Sequence, residues 1–276
     1  MLLAILLGAI QGLTEFLPIS SSAHLRIFGE LFSQQDPGAT FTAITQLGTE
    51  LAVVCYFWRK IWKILKAWFK QFKGIKALSE DEKHDAKLGW LVIVGTIPIV
   101  LAGYFLQSLI RDQFRSLWIT AIVLIVFGIL LWLADYFGKK NVALNEVTYP
   151  KGIGMGLAQT LALIPGVSRS GATISAGLAF GLNRVAAAEL SFLLAIPAVF
   201  GSGLYELKEA LDTVDTSVAT FSMLEIGIAT FVAFVVGFLV ISMLMKWLKT
   251  RTFLPFVIYR MILGLVLIVL LVTGVL

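Results

Sequence analysis

The chain has 276 residues, of which 58% are hydrophobic and only 14% charged, with a formal net charge of +5. Soluble domains average about 25% charged residues, whereas the mean hydropathy here is +0.90. This balance excludes a soluble globule, a disulfide-rich secreted scaffold and a disordered tail, and it indicates a polytopic membrane protein. The basic excess does not point to nucleic acid, because Lys and Arg gather at the ends of apolar segments, as the positive-inside rule expects. Cys55 is the single cysteine and can form no intrachain disulfide. No cleaved signal peptide is expected, since Met1–Ala4 carries no basic residue and Glu15 interrupts the apolar stretch.

In chain order, the stretch 2–32 is apolar but broken by Gln11, Thr14, Glu15, Pro18, Ser20, Ser21, Ser22, His24 and Arg26. A span is expected at 40–58, then a basic loop at 59–87, then spans at 88–110 and 117–137. A second broken stretch, 152–186, holds Gln159, Thr160, Pro165, Ser168, Arg169, Ser170 and Thr173, with seven glycines between 152 and 181. Spans at 187–205, 222–245 and 254–276 complete the chain. Two helical crossings need about 40 residues, and each broken stretch offers roughly 30. One continuous crossing would place charges near mid-depth at about 3 kcal/mol or more each. Each broken stretch is therefore expected to enter and leave on one side, its irregular backbone sheltered by protein or a wet cavity. The expected fold is an all-α polytopic membrane protein, with six transmembrane helices plus two re-entrant helix–loop–helix hairpins in an inverted repeat.

If segment 40–58 runs from outside to inside, the inner loops carry 16 Lys or Arg and the outer ones 3. That split fixes the orientation. It also makes residues 1–276 a single membrane domain of two opposed halves, 1–137 and 152–276, the arrangement in which broken helices meet at a central site. Aligning Pro18 with Pro165 sets Ser21 opposite Ser168. Within the basic cytoplasmic loop 59–87, Trp58, Trp62 and Trp68 interleave with Lys60, Lys63, Lys66 and Lys70, the pattern of an interfacial amphipathic helix. His84 falls in the charged run 80–87, expected to be a solvated loop.

Two constellations carry chemistry. In the first, Gln11 and Glu15 share a helix face that Pro18 terminates. Ser20, Ser21 and Ser22 follow at the break, and His24 is close enough to meet a hydroxyl as a nucleophile's base. Glu15 could orient His24, act as a base or bind a metal. Ionisable groups at membrane depth are functional by default, although serines also serve helix packing. In the second, Arg169 needs an anion, and its planar fork suits phosphate. Ser168, Ser170 and Thr173 add donors, Gly166 and Gly171 permit close backbone approach, and a helix starting near Ser170 would aim its N–H groups at the same anion. The alternative for Arg169 is a structural pair with Glu15. Arg260 is expected to pair with a glutamate such as Glu50 or Glu189, and Gln46 and Gly48 are expected to serve packing, with substrate binding the alternative for Gln46.

The run from Gly12 through Glu15 and Pro18 to Ser21 is followed in order by Gln46-Leu-Gly48 and by Pro165-Gly166-Val-Ser168-Arg169-Ser170-Gly-Ala-Thr173. Glu189-Leu-Ser-Phe-Leu-Leu-Ala-Ile-Pro197 and Pro255-Phe-Val-Ile-Tyr259-Arg260 complete the series. Together they resemble the undecaprenyl-pyrophosphate phosphatase family, also called the bacitracin-resistance protein family, over nearly the whole chain. The resemblance implies a periplasm-facing plasma-membrane enzyme that removes the terminal phosphate of a C55 polyprenyl pyrophosphate. Its monophosphate product is the lipid carrier of cell-wall assembly, and a divalent cation, Mg2+ or Ca2+, assists the reaction. By position, the resemblance puts the catalytic acidic pair on Gln11 and Glu15, the serine and histidine on Ser21 and His24, and the phosphate-binding arginine on Arg169. Gln11 stands where Glu is commoner, and Glu50 stands where a small or neutral residue is commoner. Arg169 and the Ser168–Thr173 donors are expected to bind pyrophosphate while Ser21 attacks and His24, supported by Glu15, handles the proton. Attack by His24 or by water stays open, as does assembly into a homo-oligomer. The rival class is a transporter or flippase for a polyprenyl phosphate lipid, since broken helices in inverted repeats also mark transporters.

Overall fold

A computed structural model describes residues 1–33, 38–75, 78–106, 116–212 and 221–276, so the outer segments expected at 33–39, 111–116 and 206–221 lie in part outside the described residues. The first broken stretch forms two short helices, α1 (Leu2–Thr14) and α2 (Ser21–Ser33). They are followed by α3 (Gly38–Tyr56), α4 (Trp58–Lys70), α5 (Glu80–Phe105) and α6 (Leu117–Phe137). The second broken stretch gives α7 (Tyr149–Thr160) and α8 (Arg169–Ala179), and the chain ends with α9 (Arg184–Asp212), α10 (Met223–Trp247) and α11 (Leu254–Val272). The longest helix of either hairpin has 13 residues, about 20 Å against a hydrocarbon core of about 30 Å. None of the four crosses alone.

Five helices, α5, α6, α9, α10 and α11, are long and apolar enough to cross a membrane. The span expected at 40–58 is α3, 19 residues long, and it is not one of these five. Gln46, Thr49 and Glu50 dilute its middle, and the helix instead packs between α9 and α10 with Thr45, Thr49 and Glu50 buried. Protein contact, not lipid, accommodates those polar groups. Among the described residues the fold is thus all-α and polytopic, with two short-helix hairpins held among longer helices.

Residues 80–87 are not a loop. Ser79 accepts from the Glu82 N–H at 3.2 Å while the Glu82 carboxylate accepts from the Ser79 N–H at 2.9 Å. This capping box starts α5 there and places His84 on the helix. The basic segment before it forms α4 as expected, with Trp58, Trp62 and Phe69 exposed and Ile64 and Ala67 buried. Lys60 pairs with Glu189 at 2.6 Å, fastening α4 to α9. Glu189 is therefore not the partner of Arg260.

Small residues let the helices touch. A Cβ on Gly8 would lie 2.4 Å from the Ala229 carbonyl oxygen, and one on Gly48 would lie 2.1 Å from that of Thr230, so α10 seats directly on α1 and α3. At the C-terminal end of α6, Asp135 accepts from Arg184 Nε at 2.6 Å and from the Phe253 N–H at 3.0 Å. One carboxylate thereby ties the end of α6 to the starts of α9 and α11.

Candidate active site

The two hairpin breaks are built alike and face one another. Pro18 lacks an N–H and disfavours helix at Leu17, so α1 gives way to turns after Thr14. Ser20 then adopts a positive φ of 74°, and α2 begins at Ser21. In the second hairpin Gly166 has φ 98° and Ser168 φ 71°. A Cβ on Gly166 would lie 2.8 Å from the Thr120 carbonyl oxygen, so both its conformation and its surroundings require glycine. Ser168 caps α8, its Oγ accepting from the Gly171 N–H at 3.1 Å.

Arg260 locks the breaks together. It is fully buried, and among the described residues its partners are carbonyl oxygens, unlike the Glu–Arg pair expected from sequence. Its guanidinium donates to the carbonyl oxygens of Pro18, Val167, Gly166 and Leu124 at 2.9–3.1 Å. Broken helices leave carbonyls without intrahelical partners, and a five-donor fork can serve several at once. Ser170 Oγ reinforces the join by reaching the carbonyls of Glu15 and Leu17, each at 3.3 Å.

Glu15 is the centre of the polar cluster. Its Oε2 accepts from Ser21 Oγ at 2.6 Å and from Gln11 Nε2 at 2.7 Å, while its Oε1 accepts from Arg169 Nη2 at 2.7 Å. Arg169 also lies 3.4 Å from Glu50 Oε2. The structure thus brings Gln11, Glu15, Ser21 and Arg169 into one buried cluster and adds Glu50, which pairs with Arg169 and not with Arg260 as expected from sequence. The Ser21 hydroxyl meets Glu15 and not His24. His24 Nδ1 lies 2.7 Å from the Ser20 carbonyl oxygen, and Nε2 lies 2.7 Å from Tyr259 Oη. A carbonyl only accepts, so Nδ1 carries the proton, and a neutral ring accepts from Tyr259 at Nε2. The rings of His24 and Tyr259 also stack, with centroids 5.5 Å apart.

The other expected donors divide. Ser20 Oγ and Ser22 Oγ are 3.2 Å apart, and the Gly166 N–H reaches Ser22 Oγ at 3.5 Å. Ser168 and Ser170 hydroxyls lie 3.1 Å apart beside the start of α8. Thr173 instead donates back to the Arg169 carbonyl at 2.8 Å and meets Ser191 of α9, which serves packing of α8 on α9. Tyr259 was visible only as part of the Pro255–Arg260 run, with no chemical role attached to it.

The polar cluster fits a hard cation. Gln11 Oε1 and Glu50 Oε1 are buried with no hydrogen-bond partner, and oxygen donors of this kind suit Mg2+ or Ca2+. Among the described residues no group of three or more His, Cys, Asp and Glu side chains that could hold a metal ion gathers; the oxygens such an ion would take here are those of Glu15, Glu50 and Gln11.

The chain matches the family model described as Bacitracin resistance protein BacA over residues 4–266. It is 59% identical to an undecaprenyl-diphosphatase of Clavibacter michiganensis subsp. michiganensis, covering 98% of this chain and 97% of that protein. It is 56% identical to an undecaprenyl-diphosphatase of Micrococcus luteus over 99% of this chain and 97% of that one. To undecaprenyl-diphosphatase 2 of Agrobacterium fabrum it is 54% identical, over 98% and 95% respectively. With a site of this make-up and similarity along nearly its whole length, the chain belongs to the bacitracin resistance protein BacA family.

Proposed function

We propose that this chain is an integral-membrane phosphatase that hydrolyses undecaprenyl pyrophosphate to undecaprenyl phosphate and inorganic phosphate, recycling the lipid carrier of cell-wall assembly. The observation that carries this reading is the Glu15 carboxylate, which holds the Ser21 hydroxyl on one oxygen and the Arg169 guanidinium on the other. A potential nucleophile, its proton acceptor and a phosphate-binding cation are thereby joined across two hairpins. The names of the relatives give the substrate.

In this mechanism Arg169 and the N–H groups opening α8 bind the terminal phosphate and offset the charge of phosphoryl transfer. Ser21 Oγ attacks phosphorus as its proton passes to Glu15, and undecaprenyl phosphate leaves. Water, giving a proton to the unprotonated Nε2 of His24, then attacks that phosphorus, and Glu15 returns its proton to the departing Ser21 Oγ as inorganic phosphate is released. Tyr259 and the Ser20 carbonyl hold that ring in one tautomer. A divalent cation held by Glu15 would supply further charge neutralisation when bound. The 16-to-3 bias of basic residues supports a plasma-membrane location with the site open to the periplasm or cell exterior. The packing of α1 on α10 and of α7 on α5 supports reading 1–137 and 152–276 as inverted repeats.

The test is phosphate release from undecaprenyl and farnesyl pyrophosphate by the detergent-purified chain, beside a lipid-translocation assay in proteoliposomes. Phosphate release is expected from both substrates. Translocation by folded protein that releases no phosphate would replace the phosphatase with a transporter.

A further inference from the structure

Glu50 takes no part in the mechanism above, yet it is fully buried at the heart of the site. Its Oε2 lies 3.4 Å from Arg169 Nη2, at the long limit of a hydrogen bond, and its Oε1 has no partner. Nearby hydroxyls do not serve it, since Thr49 Oγ1 donates to the Gln46 carbonyl at 2.9 Å and Thr45 Oγ1 to that of Phe41 at 2.8 Å. A buried carboxylate left half-satisfied is unfavourable unless something else occupies its free oxygen. A second orphan lies across the cluster. Gln11 is also fully buried, and its amide is anchored through Nε2 on Glu15 Oε2 at 2.7 Å, leaving Oε1 without a partner. Gln11 of α1 and Glu50 of α3 thus each leave one buried oxygen unpartnered, and Glu15 with Arg169 links the two side chains.

Arg169 presents the complementary difficulty. The guanidinium that has to hold the phosphate already donates to Glu15 at 2.7 Å. Glu15 and Glu50 together already offset its charge, and an anion gains most of it when the carboxylates receive another positive charge. We propose that Glu50, with Glu15 and Gln11 Oε1, forms a divalent-cation site whose occupation takes the carboxylates from Arg169 and frees its guanidinium for the pyrophosphate. Three hard oxygen donors from two helices suit such an ion, with water and substrate oxygens completing its shell. Cation and pyrophosphate then bind with positive coupling, each removing the other's competitor. The cation site stands on the geometry alone; its coupling to the anion rests on the phosphatase reading.

The test titrates the detergent-purified chain with Mn2+, without substrate, and follows the free-ion EPR signal. Glu50→Gln is expected to weaken binding by at least about tenfold. Arg169→Gln is expected to tighten it, because an internal cation no longer competes for Glu15 and Glu50. Gln11→Glu in the Glu50→Gln background returns a second carboxylate from α1 and is expected to restore binding. Absence of Mn2+ binding by the wild type, or wild-type affinity in monodisperse Glu50→Gln, overturns the proposal. Should Glu50→Gln aggregate, the double variant decides: recovery of Mn2+ binding supports the site, and monodisperse protein without binding overturns it. The readout involves no turnover, so a wild type that binds Mn2+ but releases no phosphate keeps the cation site and removes the phosphatase reading.

Discussion

Ser20 and Ser168 share an uncommon positive φ, of 74° and 71°, and each immediately precedes the second helix of its hairpin. A side chain is disfavoured at positive φ, but the hydroxyl is useful there. Ser168 Oγ accepts from the Gly171 N–H at 3.1 Å, and Ser20 Oγ from the Ala23 N–H at 3.4 Å. The matching breaks set Ser20 against Ser168, one residue from the register obtained by aligning Pro18 with Pro165.

The two roles of Ser168 can be separated by substitution. Ser168→Ala loses the cap and keeps the backbone strain, at about 1 kcal/mol or more. Ser168→Gly loses the same hydrogen bond but relieves the strain and is expected to be the milder change. Thermal unfolding in detergent should rank wild type and Ser168→Gly above Ser168→Ala. The reverse order of the two variants would show that φ at this position stores no strain.

Arg260 positions both breaks without touching the reacting groups. Lys in its place keeps the charge but cannot reach four carbonyls, and each buried acceptor left empty is worth about 1–3 kcal/mol. Arg260→Lys is expected to lower the unfolding temperature and to cut phosphate release at least about tenfold. Wild-type turnover in that variant would mean that the hairpins keep their geometry by other contacts.

His24 depends on Tyr259. Tyr259→Phe removes the hydroxyl from Nε2 while keeping the stacked ring, and a hydrogen bond of about 1 kcal/mol corresponds to several-fold in rate. A several-fold fall in kcat with folding intact is expected. In Ser21→Ala, where little turnover remains to lose, adding Tyr259→Phe should have almost no further effect. Full additivity of the two substitutions would place His24 outside the serine pathway.

Much of this architecture can be read from residues alone, and the remainder has identifiable physical causes. The interleaved Trp and Lys residues of α4 identify an interfacial helix, and Pro18 and Pro165 amid polar residues identify two broken hairpins. The partner of Arg260 is not legible, because a buried arginine invites a search for acids, whereas its acceptors are carbonyls left open by the breaks at Pro18 and Gly166. Nor is the partner of Ser21. Sequence proximity favours His24, but the ring turns back to the Ser20 carbonyl while the hydroxyl reaches Glu15 across the break. Glu50 lies far from both motifs in the chain and enters the site only through packing of α3. The Ser79–Glu82 capping box was present in the sequence, but the charge of residues 80–87 obscured it.

The most direct measurement is undecaprenyl pyrophosphate hydrolysis by wild type, Ser21→Ala, Glu15→Gln and Arg169→Ala, each confirmed monodisperse in detergent. A nucleophile, its proton acceptor and the phosphate ligand act as one unit, so each variant is expected to lose on the order of 100-fold or more in kcat. Combining any two should cost little beyond the worse single change. Turnover near the wild-type rate in Ser21→Ala would contradict a serine nucleophile held by Glu15.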